Sequence, residues 1–97
     1  MNNLQKLIRL RGLTVREVAA RTGYGYHNVQ KIIKRSTRVN DRPFTNVEIE
    51  TAIAGIFGLT HKQCWGPQSD MILRRMINKE ITTQVNKAAS QLRQQYL

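Results

Sequence analysis

The sequence predicts an all-α fold: a compact bundle of five to six helices that contains a helix-turn-helix at about residues 14–34. Three observations carry this. Apolar residues recur at helical spacing along most of the chain. Helix-start signatures stand directly before three of those runs, each a Thr followed three residues later by Glu or Gln. No strand-like alternation is long enough to rival either signal, the nearest being residues 81–85.

The elements follow in order. Leu4, Leu7 and Ile8 mark a first helix that ends near Gly12. Thr14-Val15-Arg16-Glu17 is a capping box, with Leu13 and Val18 at the positions of a hydrophobic staple, and it starts a second helix that runs from Val15 to about Thr22. Val29, Ile32 and Ile33 mark a third, from Tyr26 to about Lys34. The stretch RSTRVNDRPF at 35–44 is polar, basic and proline-terminated, so it reads as a loop. A second box at Thr45-Asn46-Val47-Glu48, with Phe44 and Ile49 as its staple, precedes a fourth helix carrying Ile49, Ile53, Ile56 and Phe57 and stopped by Gly58. A weaker box at Thr60-His61-Lys62-Gln63 opens a short helix ending at Trp65. After the break GPQSD, residues 71–97 keep helical spacing through Ile77, Ile81, Val85, Ala88, Leu92 and Tyr96, with Asn78 as a candidate break. The division expected is a DNA-binding domain at 1–67 and a helical extension at 68–97 that is a candidate dimerisation element.

Charge narrows the function. The formal net charge is +10, and residues 1–42 hold ten Lys/Arg against Glu17 and Asp41. A basic half of this kind points to a polyanionic partner, most often nucleic acid. No apolar run reaches membrane length, and the start lacks the continuous apolar stretch of a signal peptide, so a cytoplasmic location and no membrane partner are expected. Cys64 is the single cysteine, which fits a reducing compartment.

The most informative stretch is VREVAARTGYGYHNVQKIIK, residues 15–34. Gly23 suits a left-handed helix end, and Gly25 suits the N-cap of the next helix. Two short helices joined by so tight a turn make a helix-turn-helix. Ala19 is small, as a close helix crossing requires, and Val18, Tyr24, Val29 and Ile32 are expected to fill the wedge. On the third helix His27, Gln30, Lys31 and Lys34 fall on one outer stripe, flanked by Asn28. Every one of these side chains can hydrogen-bond base edges or phosphates. An ordinary solvated face mixes Glu with Lys, whereas residues 25–38 contain no acid.

With Val18-Ala19, Gly23 at the turn, Val29 and Ile32 in this spacing, the stretch resembles the helix-turn-helix of the lambda-repressor/Cro-like family. The Gly-Tyr turn, and EIETAIAGIFGLTHKQCW at 48–65 ending in Trp, resemble the Ner-like phage regulators more closely, over about residues 3–67. The resemblance implies a phage-derived transcriptional regulator or repressor that binds operator DNA as a two-fold pair. By position it implies base contacts from Tyr26, His27, Gln30 and Lys31, with Asn28 beside them. It says nothing of residues 71–97.

Phosphate contacts are expected around the reading helix, from Thr14, Arg16, Arg21, Lys34, Arg35 and Arg38. The 35–42 segment reads as a surface loop, with a minor-groove arm as the sharper alternative. Trp65 and Cys64 read as core. His61 and Cys64 have H-x-x-C spacing, but a zinc site needs about four ligands and only His27 remains. No metal, cofactor or small-molecule substrate is expected. Six acids, two histidines and no Walker-type loop offer no catalytic constellation. RNA binding would want exposed aromatic platforms, and the few aromatics sit at core-like positions. The competing function is a DNA-binding accessory module of a recombination, packaging or segregation complex, with the tail holding another protein.

Overall fold

The computed structural model describes residues 1–34 and 46–96, with side chains through residue 92. Among these the chain forms six helices and no strand: α1 (Asn3–Leu10), α2 (Val15–Thr22), α3 (Tyr26–Lys34), α4 (Val47–Ile56), α5 (His61–Trp65) and α6 (Ser69–Tyr96). The loop at 35–44, and with it Arg35 and Arg38, lies outside the described residues, as do Phe44 and Thr45 of the expected fourth-helix box.

Four of the six starts, those of α1, α2, α4 and α5, are tied down by a side chain. Thr14 accepts from the Glu17 N–H at 3.2 Å while Glu17 Oε1 accepts from the Thr14 N–H at 3.3 Å, so the box expected for α2 is complete. The Thr60–Gln63 box of α5 is complete in the same way. Two starts differ from the sequence reading. Asn2 and Gln5 form a reciprocal box at α1, where the sequence offers no Ser or Thr cap. At α4 the cap is Asn46, one residue later than expected, and its Oδ1 accepts from the Ile49 N–H at 3.2 Å. Asn caps at least as well as Thr, so two adjacent candidates compete and the later one holds the helix.

The helix ends are equally specific. Gly12 (φ 70°) and Gly58 (φ 70°) each sit in paired bonds of the Schellman type: Leu13 N–H to Ile8 C=O with Gly12 N–H to Arg9 C=O, and Leu59 N–H to Ala54 C=O with Gly58 N–H to Gly55 C=O.

One contiguous core joins all six helices. It takes Leu4, Leu7 and Ile8 from α1, Val18 and Ala19 from α2, Val29, Ile32 and Ile33 from α3, and Ile49, Ile53 and Ala54 from α4, closed by Phe57, Cys64, Trp65 and Leu73. Ala19, 5% exposed, lies where α2 and α3 cross. Ala19→Leu should therefore overpack the crossing and cost about 1–3 kcal/mol. A thermal melt within a degree or two of the parent would contradict this packing.

The C-terminal segment is a single helix, as its spacing predicts. It starts at Ser69, two residues earlier than read, with no break at Asn78 and no strand at 81–85. Thr82 and Thr83 are β-formers by propensity, but the Thr83 hydroxyl donates to the Lys79 carbonyl at 2.9 Å and is satisfied within the helix. The first half of α6 packs on α1 and α5. Leu73 is buried, Arg11 Nε meets Glu80 Oε2 at 3.0 Å, Asn3 bonds Asp70, and Gln84 Nε2 donates to the Leu10 carbonyl at 2.6 Å. At ~1.5 Å per residue a 28-residue helix spans about 42 Å, which accounts for most of the molecule's 55 Å long axis. Among the described residues no helix is long and apolar enough to cross a membrane.

Candidate nucleic-acid interface

The turn between α2 and α3 sets the angle of the reading face. Gly23 has φ 77°, a left-handed value that a side chain resists, and its N–H closes α2 on the Ala19 carbonyl at 3.0 Å. The Thr22 hydroxyl reinforces the same end, donating to the Ala19 carbonyl at 2.9 Å. Gly25 then offers its carbonyl to the Val29 N–H at 3.1 Å, the first bond of α3. At the far end Asn2 Nδ2 donates to the Ile33 carbonyl at 2.8 Å, so the residue that caps α1 also satisfies the last turn of α3. Helix α3 is thus fixed at its C-terminal end by Asn2, and on its inner face by fully buried Val29, Ile32 and Ile33.

The outer face carries His27, Asn28, Gln30, Lys31 and Lys34, all exposed. From His27 to Lys34 the stripe is about 10 Å long, at ~1.5 Å per residue. None of the described acids lies on α3. Glu48 and Glu50 are on α4, Asp70 and Glu80 on α6, and Glu17 is spent in the α2 cap. The field over this face is therefore set by lysines and by neutral donors and acceptors.

Tyr24 departs from the place expected of it. Tyr24 is 37% exposed and leaves the wedge empty of its ring, whereas Tyr26 is half-buried and packs against the core. The physical reason is the Gly23 conformation: two tyrosines lie two residues apart around Gly25, and the left-handed turn decides which one faces inward. The Tyr26 ring has the Arg16 guanidinium over it at 4.7 Å and meets the His27 ring edge-on at 5.5 Å. Arg16 on α2 thereby braces the first turn of α3, a cation–π contact no spacing rule announced.

The expected phosphate contacts divide. Arg16, Arg21 and Lys34 are exposed around the reading helix. The Thr14 hydroxyl and N–H are both engaged with Glu17, whose carboxylate sits at the α2 N-terminus where a phosphate would come, and this weighs against Thr14. Arg35 and Arg38 fall outside the described residues.

A second polar cluster was missed. Glu50 is 1% exposed on the inner face of α4, and its Oε1 lies 2.8 Å from His61 Nε2. Its backbone carbonyl accepts from Trp65 Nε1 at 2.8 Å. The wheel signal existed, since Glu50 stands three and four residues before Ile53 and Ala54. Its partner eleven residues on, across a helix turn, left no local trace. Cys64 is buried beside this cluster, and desolvation, reinforced by the Glu50 charge, pushes its thiol up to about 12. It is a neutral packing group at physiological pH, and His61 is committed to Glu50. Among the described residues no three His, Cys, Asp or Glu side chains converge as a metal site would require.

Comparison of the chain with protein-family models, with curated proteins and with solved structures finds no match.

Proposed function

We propose that the protein is a sequence-specific double-stranded-DNA-binding transcriptional regulator that inserts α3 into the major groove of an operator. One observation carries the reading: an acid-free face of His27, Gln30, Lys31 and Lys34, exposed on a helix whose position is fixed by the core and by the Asn2 bond to its last turn. Asn and Gln can pair bidentately with adenine, Lys can reach guanine O6 and N7, and an α-helix fits the groove. The resemblance to Cro-like and Ner-like regulators agrees with this and implies action as a two-fold pair. Arg16, Arg21 and Lys34, with Arg35 and Arg38, are the proposed phosphate contacts.

Selection of bound sites from random duplex DNA tests it. A palindromic consensus is expected; enrichment of no sequence would remove base readout from the proposal. Salt supplies a second measure. Five phosphate contacts from each chain, ten for a two-fold pair, give a slope of about −9 in log affinity against log salt, at ~0.9 per contact. A flat response would dismiss the phosphate set.

A second reading follows from the exposed apolar side chains of α6, namely a DNA-binding accessory module whose tail holds a different protein. Size measured without DNA separates the two, since a regulator pairs with itself and a module stays single until its partner is added.

A further inference from the structure

Beyond Gln84, its last described bond to the body, α6 continues for residues 85–96, about 18 Å, and the described side chains from Val85 to Leu92 are all exposed. The uncovered side is ordered. Ile81 (44% exposed), Val85 (61%), Ala88 and Leu92 (55%) are spaced by four, three and four residues, the seam of a coiled coil. At ~100° per residue this seam points about a quarter-turn away from Leu73, Ile77, Glu80 and Gln84, the side turned to α1.

Charge selects the occupant. The positions flanking the seam are Thr82, Gln84, Ala89 and Gln91, all neutral. Lys79, Glu80 and Lys87, the charged residues of 79–92, lie more than about 100° around the helix from it. DNA or an acidic partner would call for cations beside the apolar row. A second copy calls for their absence, because like charges at flanking positions would meet across the two-fold axis.

We infer that α6 pairs with α6 of a second copy of this chain, antiparallel, along Ile81, Val85, Ala88 and Leu92. Two arguments fix the direction. The pairing that sets Ile81 against the second copy's Leu92, and Val85 against its Ala88, lays the second helix's C-terminal end beside an apolar groove lined by Met1, Leu10, Ile77 and Ile81 and edged by Lys6 and Arg9. It also holds two strongly basic bodies at opposite ends of the paired helices, where a parallel pair would press them together. The bodies are gripped over about residues 69–84 and the seam centres near 86–87, so the pair offsets them by about 30 Å along α6. That is close to the ~34 Å between successive major-groove faces on one side of DNA. This last match rests on the DNA-binding reading; the pairing itself does not.

Velocity sedimentation of the full chain without DNA tests it. The parent is expected to pair reversibly. Val85→Lys, at an exposed position outside the core, should raise the dissociation constant about a hundredfold. A parent that stays single at every concentration, one that grows beyond pairs, or a Val85→Lys protein that pairs as well as the parent would each overturn the inference. Direction is read by oxidation: Val85→Cys mixed with Ala88→Cys should cross-link faster than Ala88→Cys alone, with buried Cys64 silent. The reverse order would overturn the antiparallel pair. Loss of pairing with DNA binding kept refutes this inference alone, and pairing without DNA binding refutes the DNA reading alone.

Discussion

Trp65→Ala is expected to leave the protein largely unfolded at 37 °C, the largest stability loss available from a single side chain. Trp65 is 2% exposed, at the end of a five-residue helix. So short a helix has no stability of its own; α5 holds its place because Trp65 and Cys64 enter the core between α4 and α6. Removing the ring costs about 3–5 kcal/mol in lost burial and cavity. It also strips the indole N–H from the buried Glu50 carbonyl. A domain of this length is stable by only about 5–15 kcal/mol, so the variant keeps little margin. At about 4–8 °C per kcal/mol the melting temperature should fall by roughly 15–30 °C. Trp65→Phe separates the two parts, keeping most of the apolar area and losing the N–H, so an intermediate melt is expected. A melt of Trp65→Ala within a few degrees of the parent, followed by helical circular dichroism, would show that the core does not close on this residue.

How much of this arrangement the sequence announced depends on the range of the interactions that build it. The start of α2, the glycine turn and the outer stripe of α3 were legible because each is written within one or two turns of chain: a hydroxyl and a carboxylate three residues apart, a glycine at a helix end, a polar row at helical spacing. The choice between Thr45 and Asn46 was not legible, because both are good caps one residue apart. Tyr24 was expected in the wedge and is exposed instead, because inward and outward depend on the angle that Gly23 creates, a property of the turn rather than of the tyrosine. The Asn2 side chain spans 31 residues to reach the Ile33 carbonyl, and Arg16 reaches Tyr26 across the helix crossing; neither contact has a sequence signature. The same holds for Gln84 and Glu80, which draw α6 against Leu10 and Arg11 and keep the helix continuous past Asn78.

Lys31→Ala and His27→Ala should each weaken binding to the selected operator by about ten- to a hundredfold, the ~1–3 kcal/mol of a base contact, and leave binding to a scrambled duplex nearly unchanged. Both side chains are exposed and neither supports the core, so the melts should stay with the parent. Lys34 sits in the last turn of α3, where a cation also suits the helix dipole, and is assigned to a phosphate. Lys34→Ala should lower affinity for both duplexes alike and reduce the salt slope by about one per bound chain, about two for the pair. The contrast between the two classes is the test, because every substitution removes polarity from the same helix and differs only in what it is proposed to touch. Titration of both duplexes across a salt series reads specificity and slope together. Equal losses on the two duplexes for Lys31→Ala and His27→Ala would take these residues out of base readout and leave α3 as an electrostatic support. A Lys34→Ala protein that kept its slope while losing the operator alone would exchange the assignments, placing the reading end of the helix at its C-terminal turn.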